Sequence, residues 1–168
     1  MGSDEQLGLD LGVPVEQTEW GKWVDPERRK EQVRKFLDRA GLRAIPAKPW
    51  SEGAPELAQL DGVVAELFPD LATAMAPKNA DMADAFICFL GECFIKFTGA
   101  EWIDAPWFGR EYSFYDHVNP ALQYGFAGAE ADTAWGLMKD VAGGNFSRTA
   151  GMLRDFADRY AEERADRH

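Results

Sequence analysis

Histidine is almost absent from this chain: there are two in 168 residues, and one of them, His168, is the last residue. The sequence contains no H-E-x-x-H, no C-x-x-C and no histidine–carboxylate cluster, so zinc and di-iron chemistry lack their ligands and no cofactor is expected. Cysteine is equally scarce. Cys88 and Cys93 stand five apart, which on one helix separates them by about 140° around the axis, too far to pair or to chelate one ion. Cys93 falls among apolar positions and reads as core, whereas Cys88 falls in a polar stripe and reads as a partly exposed thiol. No apolar run approaches the roughly 20 residues that span a bilayer. Met1-Gly2-Ser3-Asp4-Glu5 is acidic where a secretory leader would be basic. With few cysteines, the expected setting is the reducing cytoplasm, without a membrane partner.

Positive charge is also in deficit. Eighteen basic residues face 29 acidic ones, for a net charge of −11. Such a chain repels a phosphate backbone at long range, which argues against a nucleic-acid partner. Residues 26–43 run against the trend, with seven basic and three acidic side chains. They read as the solvated face of a helix turned toward the acidic body; a docking patch for an acidic partner is the alternative.

What the chain has in plenty is apolar material: 46% hydrophobic and 12% aromatic residues, enough for a real core in a chain of this length. Residues 1–18 lack clear periodicity and are rich in Gly and acidic side chains, so they read as a loose tail before a single domain over 19–168. Asp25 as N-cap, Pro26 at the first helical position and Gly41 as a left-handed terminator delimit a helix with Val33, Phe36, Leu37 and Ala40 on its buried stripe. Residues 43–50, with Pro46 and Pro49, read as an extended connection or an edge strand. A second helix is expected from about Pro55 to Phe68, with Ser51 as an upstream cap. Pro69 opens a short piece that Pro77 ends, and Asn79 is the candidate N-cap of a central helix over about 80–98.

In that helix Asp84, Cys88, Glu92 and Lys96 follow at four-residue steps and form one narrow stripe, expected near water. Met82, Phe86, Ile87, Phe89, Leu90, Phe94, Ile95 and Phe97 fill the rest of the circumference, which must be covered on several sides. After Gly99 the pattern predicts strands over Ala100–Asp104 and Glu111–Val118 joined through Pro106–Gly109. Asn119-Pro120 reads as a helix start with a short helix over Ala121–Phe126; a third strand there is the competing reading. A helix over 130–142, stopped by Gly143-Gly144, and a last helix from Asn145 or Ser147 to about Arg164 complete the chain. The last helix is expected on the outside, with Arg154–Asp158 and Asp155–Arg159 as i,i+4 pairs. The fold class is α+β: mainly helical, with a central buried helix and a small antiparallel hairpin or short sheet.

Candidate chemistry is thin. Glu92 follows Gly91 in the apolar helix and stands four residues before Lys96, the favourable order for an ion pair. If covered, it would be a buried carboxylate of raised pKa, and with Tyr115 and His117 it would supply the polar groups of a pocket between the central helix and the hairpin. Asp116 and His117 are adjacent, which on a strand sends them to opposite faces, so His117 reads as a hydrogen-bonded structural residue. Gly143-Gly144-Asn145 before a helix is a faint phosphate-cradle signal. The best binding surface is aromatic: Trp107 and Phe108 beside Arg110 have hot-spot composition, with Tyr112, Tyr115 and His117 close in sequence; plain packing against the central helix is the competing reading for each ring taken alone.

The order Gly91-Glu92, Gly99-Ala100-Glu101-Trp102, Asn119-Pro120 resembles that of small, mostly uncharacterised bacterial domains, some considered immunity-type proteins that accompany toxins. About 45 residues carry the resemblance, roughly a quarter of the chain. It implies an architecture and a non-enzymatic role as immunity or inhibitor protein, and it brings no catalytic residues. The first expectation is therefore a cytosolic protein-binding module with a basic partner. The second is a small enzyme or ligand-binding domain using Glu92, Tyr115 and His117, and the third is a homodimer formed through the last helix.

Overall fold

A computed structural model describes residues 18–105, 107, 113–144 and 146–166. Helix α1 (Glu19–Val24) and helix α2 (Pro26–Ala40) meet at Asp25. Thr18 and Asp25 cap them, accepting from the N–H of Gly21 and of Arg28 at 3.0 Å each. Thr18 therefore belongs to the folded part, and the expected tail otherwise lies outside the described residues. Gly41 ends α2 in the left-handed region (φ 74°), and the Leu42 N–H closes back on the Leu37 carbonyl at 2.9 Å.

Helices α3 (Pro55–Leu67) and α4 (Leu71–Ala74) follow. Proline at the first helical position opens α3 after Ala54, which offers no side-chain cap; the cap expected at Ser51 is not used. The central helix α5 (Ala80–Thr98) has the expected bounds. Asn79 precedes it without capping, because its amide donates instead to the Thr73 carbonyl at 2.7 Å. Phe86, Ile87, Phe89, Leu90 and Phe94 are all fully buried. They are covered by α2, by helix α7 (Phe146–Asp166), by helix α6 (Ala134–Val141) and by the sheet. Buried side chains from Trp23 to Leu153 join in one apolar cluster around α5.

The sheet has three antiparallel strands in the order β1 (Glu101–Asp104), β2 (Pro120–Gln123), β3 (Asp132–Thr133). Trp102 pairs with Leu122 and Asp104 with Pro120. The fold is thus α+β and mainly helical, with helix making up 63% of the described residues.

Here the structure departs from two expectations. Residues 113–118 form turns and not the second strand, and β2 occupies the place expected of a short helix, as the competing reading had it. Asn119 explains the switch. Its N–H reaches the Asp104 carboxylate (2.9 Å) and its side-chain amide the Ala105 carbonyl (3.1 Å), so it latches β2 to β1 where it was expected to cap a helix. Pro120 then stands first in the strand, where proline is tolerated. The helix expected over 130–142 is likewise shortened, because Asp132 and Thr133 pair with β2 and Thr133 caps α6 through Gly136 N–H at 3.0 Å.

The last helix is only half external. Phe146, Ala150 and Leu153 in its first half are fully buried, and it packs along α5 and α3. Arg154 donates to the Trp50 carbonyl at 2.7 Å, and the Arg159 guanidinium sits 4.6 Å above the Phe126 ring, so tertiary partners take the two cations expected to pair along the helix.

Candidate functional site

The polar stripe of α5 is the first thing the fold rearranges. Asp84 and Cys88, expected near water, are buried (9% and 1% exposed), because α1 and α2 lie over them. Asp84 becomes a hub. Its Oδ1 accepts from Trp23 Nε1 (3.0 Å), Arg28 Nη2 (3.0 Å) and the Tyr115 hydroxyl (2.5 Å), and its Oδ2 from Arg28 Nη1 (2.6 Å) and Gln32 Nε2 (2.7 Å). Burial alone would raise its pKa; the hydrogen bonds from Arg28, Tyr115 and Gln32 outweigh burial and hold the carboxyl below its ordinary range. Around it, Trp23 packs edge-on against Trp102 (5.0 Å) and Tyr115 (5.6 Å) and stacks on Trp20.

The basic stretch on α2 finds its partners inside the molecule. Besides Arg28 on Asp84, Arg29 meets Glu92 at 3.4 Å, Lys35 meets Asp81 at 2.6 Å and Arg39 pairs with Glu66. This is the face turned to the acidic body, and it leaves less of the stretch for an acidic partner. Cys88 is no partly exposed thiol: burial, reinforced by Asp84, pushes its pKa up to about 12. Such a group is not a nucleophile at neutral pH.

Glu92 retains a half-exposed carboxylate held by Arg29, while Lys96 turns to the Ile45 carbonyl at 3.4 Å. The Glu92–Lys96 pair expected along the helix thus gives way to tertiary contacts. Two hollows run along α2, of about 520 and 290 Å³, and Glu92 lines the smaller with Arg29, Lys30 and Val33. Neither brings in Tyr115 or His117. Tyr115 is committed to Asp84, which stands two helical turns, about 12 Å of rise, before Glu92. His117 is exposed. The three polar groups of the expected pocket therefore belong to three different environments. The phosphate-cradle signal also has a structural answer. The Gly143 and Gly144 N–H groups are taken by the carbonyls of Phe68 and Val141, and the Asp61 carboxylate already caps the start of α7 through Ser147 N (2.9 Å) and Oγ (2.7 Å).

The remaining expectation concerns the segment after β1. Phe108, Arg110 and Tyr112 lie outside the described residues. Trp107 is 69% exposed, and among the described residues only Met75 joins it as an exposed large hydrophobic side chain. Residues 113–118 that follow are organised locally by Ser113, whose hydroxyl accepts from Tyr115 N and reaches the Val118 carbonyl, both at 3.1 Å. Asp116 and His117 stand exposed on this turn.

The chain matches no family model, no curated protein and no solved structure. Its function has to be argued from the geometry.

The residues that sequence reasoning missed are Trp23, Arg28 and Gln32. Arg28 and Gln32 stand at four-residue spacing, in line with Phe36, on the stripe α2 buries. A polar pair continuing an apolar stripe is the signal that called for a buried counter-charge on the facing helix.

Proposed function

We propose that this protein is a non-enzymatic, acidic binding module of the cytoplasm that engages a basic protein through Trp107, as an immunity or inhibitor protein would. The exposure of Trp107 carries the reading. A tryptophan left 69% exposed has the composition of an interface anchor. A net charge of −11 supplies long-range attraction to a basic surface and speeds encounter. Among the described residues no helix is long and apolar enough to cross a membrane, and no group of His, Cys, Asp and Glu side chains is placed to hold a metal ion.

Selection of a displayed peptide library on the chain tests the proposal. Enriched peptides should be rich in Lys and Arg, and Trp107→Ala should weaken their binding about tenfold or more, about 1.4 kcal/mol. The melting temperature should stay where it was, because an exposed ring contributes little to the core. A parallel loss of stability, or enrichment of acidic peptides, would sink the reading.

A further inference from the structure

Among the described α-helices only α2 has a net positive charge, with six basic side chains against three acidic. Arg28, Arg29, Lys35 and Arg39 are held by carboxylates of other elements. Arg34 pairs with Asp38 and reaches the carbonyls of Leu42 and Arg43. Of the six, Lys30 has no ion-pair or hydrogen-bond partner among the described residues, and it stands at the rim of both hollows along α2. The larger hollow, of about 520 Å³, has a mainly apolar wall. Val33 and Leu37, one helical turn apart and both buried, form its floor, and the exposed Glu27, Lys30, Glu31 and Arg34 edge it.

We propose that this hollow is the seat of residues 7–15 of the same chain, bound extended, with their aliphatic side chains on Val33 and Leu37 and their acidic groups toward Lys30. The sequence of that segment holds an alternation that its reading as a loose tail passes over. Leu7, Leu9, Leu11, Val13 and Val15 stand at every second position, with Gly8, Asp10, Gly12 and Pro14 between them. An extended backbone sends those five aliphatic side chains to one side. Pro14 has no N–H to give to a strand partner, which favours a side-chain groove over addition to a sheet edge. Charge selects the same helix. Residues 1–17 carry Asp4, Glu5, Asp10 and Glu16 and no Lys or Arg, so α2 repels them least. The tether is in place as well. Thr18 caps α1, and α1 meets α2 at Asp25 and packs on it. Nine extended residues cover about 30 Å, against about 22 Å for the length of α2. A segment joined to its site by so short a link docks at an effective concentration in the millimolar range, so modest contacts hold it. The cation that the fold leaves unpaired on α2 is thereby reserved for the chain's own acidic segment.

A nitroxide on the full chain tests this. Cys88 and Cys93 are buried and their pKa values are pushed up, so an introduced cysteine is the thiol that reacts. Gly12→Cys puts the label on the side of the segment away from the aliphatic side chains. The amide signals of Val33, Arg34 and Leu37 should then lose intensity about twofold or more. Adding Leu7→Ser, Leu9→Ser and Leu11→Ser should restore those signals, while the amides of Glu19 to Lys22, next to the tether, stay broadened. Lys30→Glu should restore them in part and Lys30→Arg should not. Broadening on α2 that survives the three serines reflects the tether alone and overturns the proposal. Broadening at Glu101–Asp104 in place of α2 overturns it too, because the segment then lies on the sheet edge. Broadening of an isotope-labelled chain by a nitroxide on a separate chain gives the hollow to a second copy and overturns docking within one molecule. No step involves Trp107, so the result stands apart from the binding reading above.

Discussion

The first half of α5 is gripped by charge and hydrogen bonds, and its second half by shape. Around Asp84 five donor contacts converge on one carboxylate, and Arg28 and Tyr115 are partly buried at its rim. About two to four turns further on, the apolar contacts are steric. At Gly91 an added Cβ would overlap the Trp102 indole, and at Gly99, in the left-handed region at φ 69°, it would come 2.6 Å from the Tyr160 ring. Phe94, Tyr124, Phe126 and Phe156 then interlock, with Tyr124 and Phe156 edge to face at 4.8 Å. At the shape-held end the polar contacts of α5, Glu92 with Arg29 and Lys96 with the Ile45 carbonyl, lie at its surface, and the Trp102 indole N–H is buried without a hydrogen-bond partner. A polar grip specifies which helices meet and in what register, because a misplaced carboxylate is costly. A steric grip needs small residues where rings cross.

The largest test of this contrast is Asp84→Ala. It leaves the Arg28 guanidinium, the Trp23 indole N–H and the Tyr115 hydroxyl without their acceptor, and urea unfolding should show a loss of about 3 kcal/mol. Gly91→Ala probes the other end. The added methyl has no room beside Trp102 and should cost about 2 kcal/mol, with the near-ultraviolet signal of the tryptophans altered as the ring moves. Trp102→Phe in the same chain should recover part of that loss, whereas it should do nothing for Asp84→Ala.

The smallest effect concerns acid. Near the shape-held end, Asp132 accepts from the Tyr124 hydroxyl at 2.5 Å, and burial, with Asp140 and Glu130 nearby, raises its pKa despite that bond. A raised carboxyl binds its proton first in the folded state. It therefore opposes folding at neutral pH, and this cost is relieved as pH falls through the folded pKa toward 3.8. Asp84 has the opposite sign: its lowered pKa contributes stability above 3.8 that is lost as pH falls through the folded value. Asp132→Asn should raise the melting temperature slightly at pH 7, a gain that fades near pH 4. Acid should loosen the Asp84 end first, visible as faster hydrogen exchange in α1 and α2 than in β2 and α6. A melting temperature of Asp132→Asn that tracks the parent at every pH would remove this distinction between the two ends.

Local chemistry wrote the helices legibly. Asp25, Pro26 and Gly41 delimit α2, and Gly99 terminates α5, because caps and left-handed glycines act on neighbouring backbone and need no distant partner. The apolar girth of α5 likewise announced that it lies at the centre, whereas the exposure of Trp107 was open between a surface ring and one packed on α5. What tertiary structure alone decided is where polar groups go. Whether the stripe from Asp84 to Lys96 meets water depends on which helix covers it. The answer came from Arg28 and Gln32, more than 50 residues away, supplying hydrogen bonds that make burial of Asp84 tolerable. In the same way Asn119-Pro120 is a sound helix start by itself, and became a strand because Asp104 and Ala105 offered Asn119 partners across the sheet. The sequence by itself determined the elements that close their own hydrogen bonds; tertiary structure assigned those whose hydrogen bonds must be completed by another part of the chain.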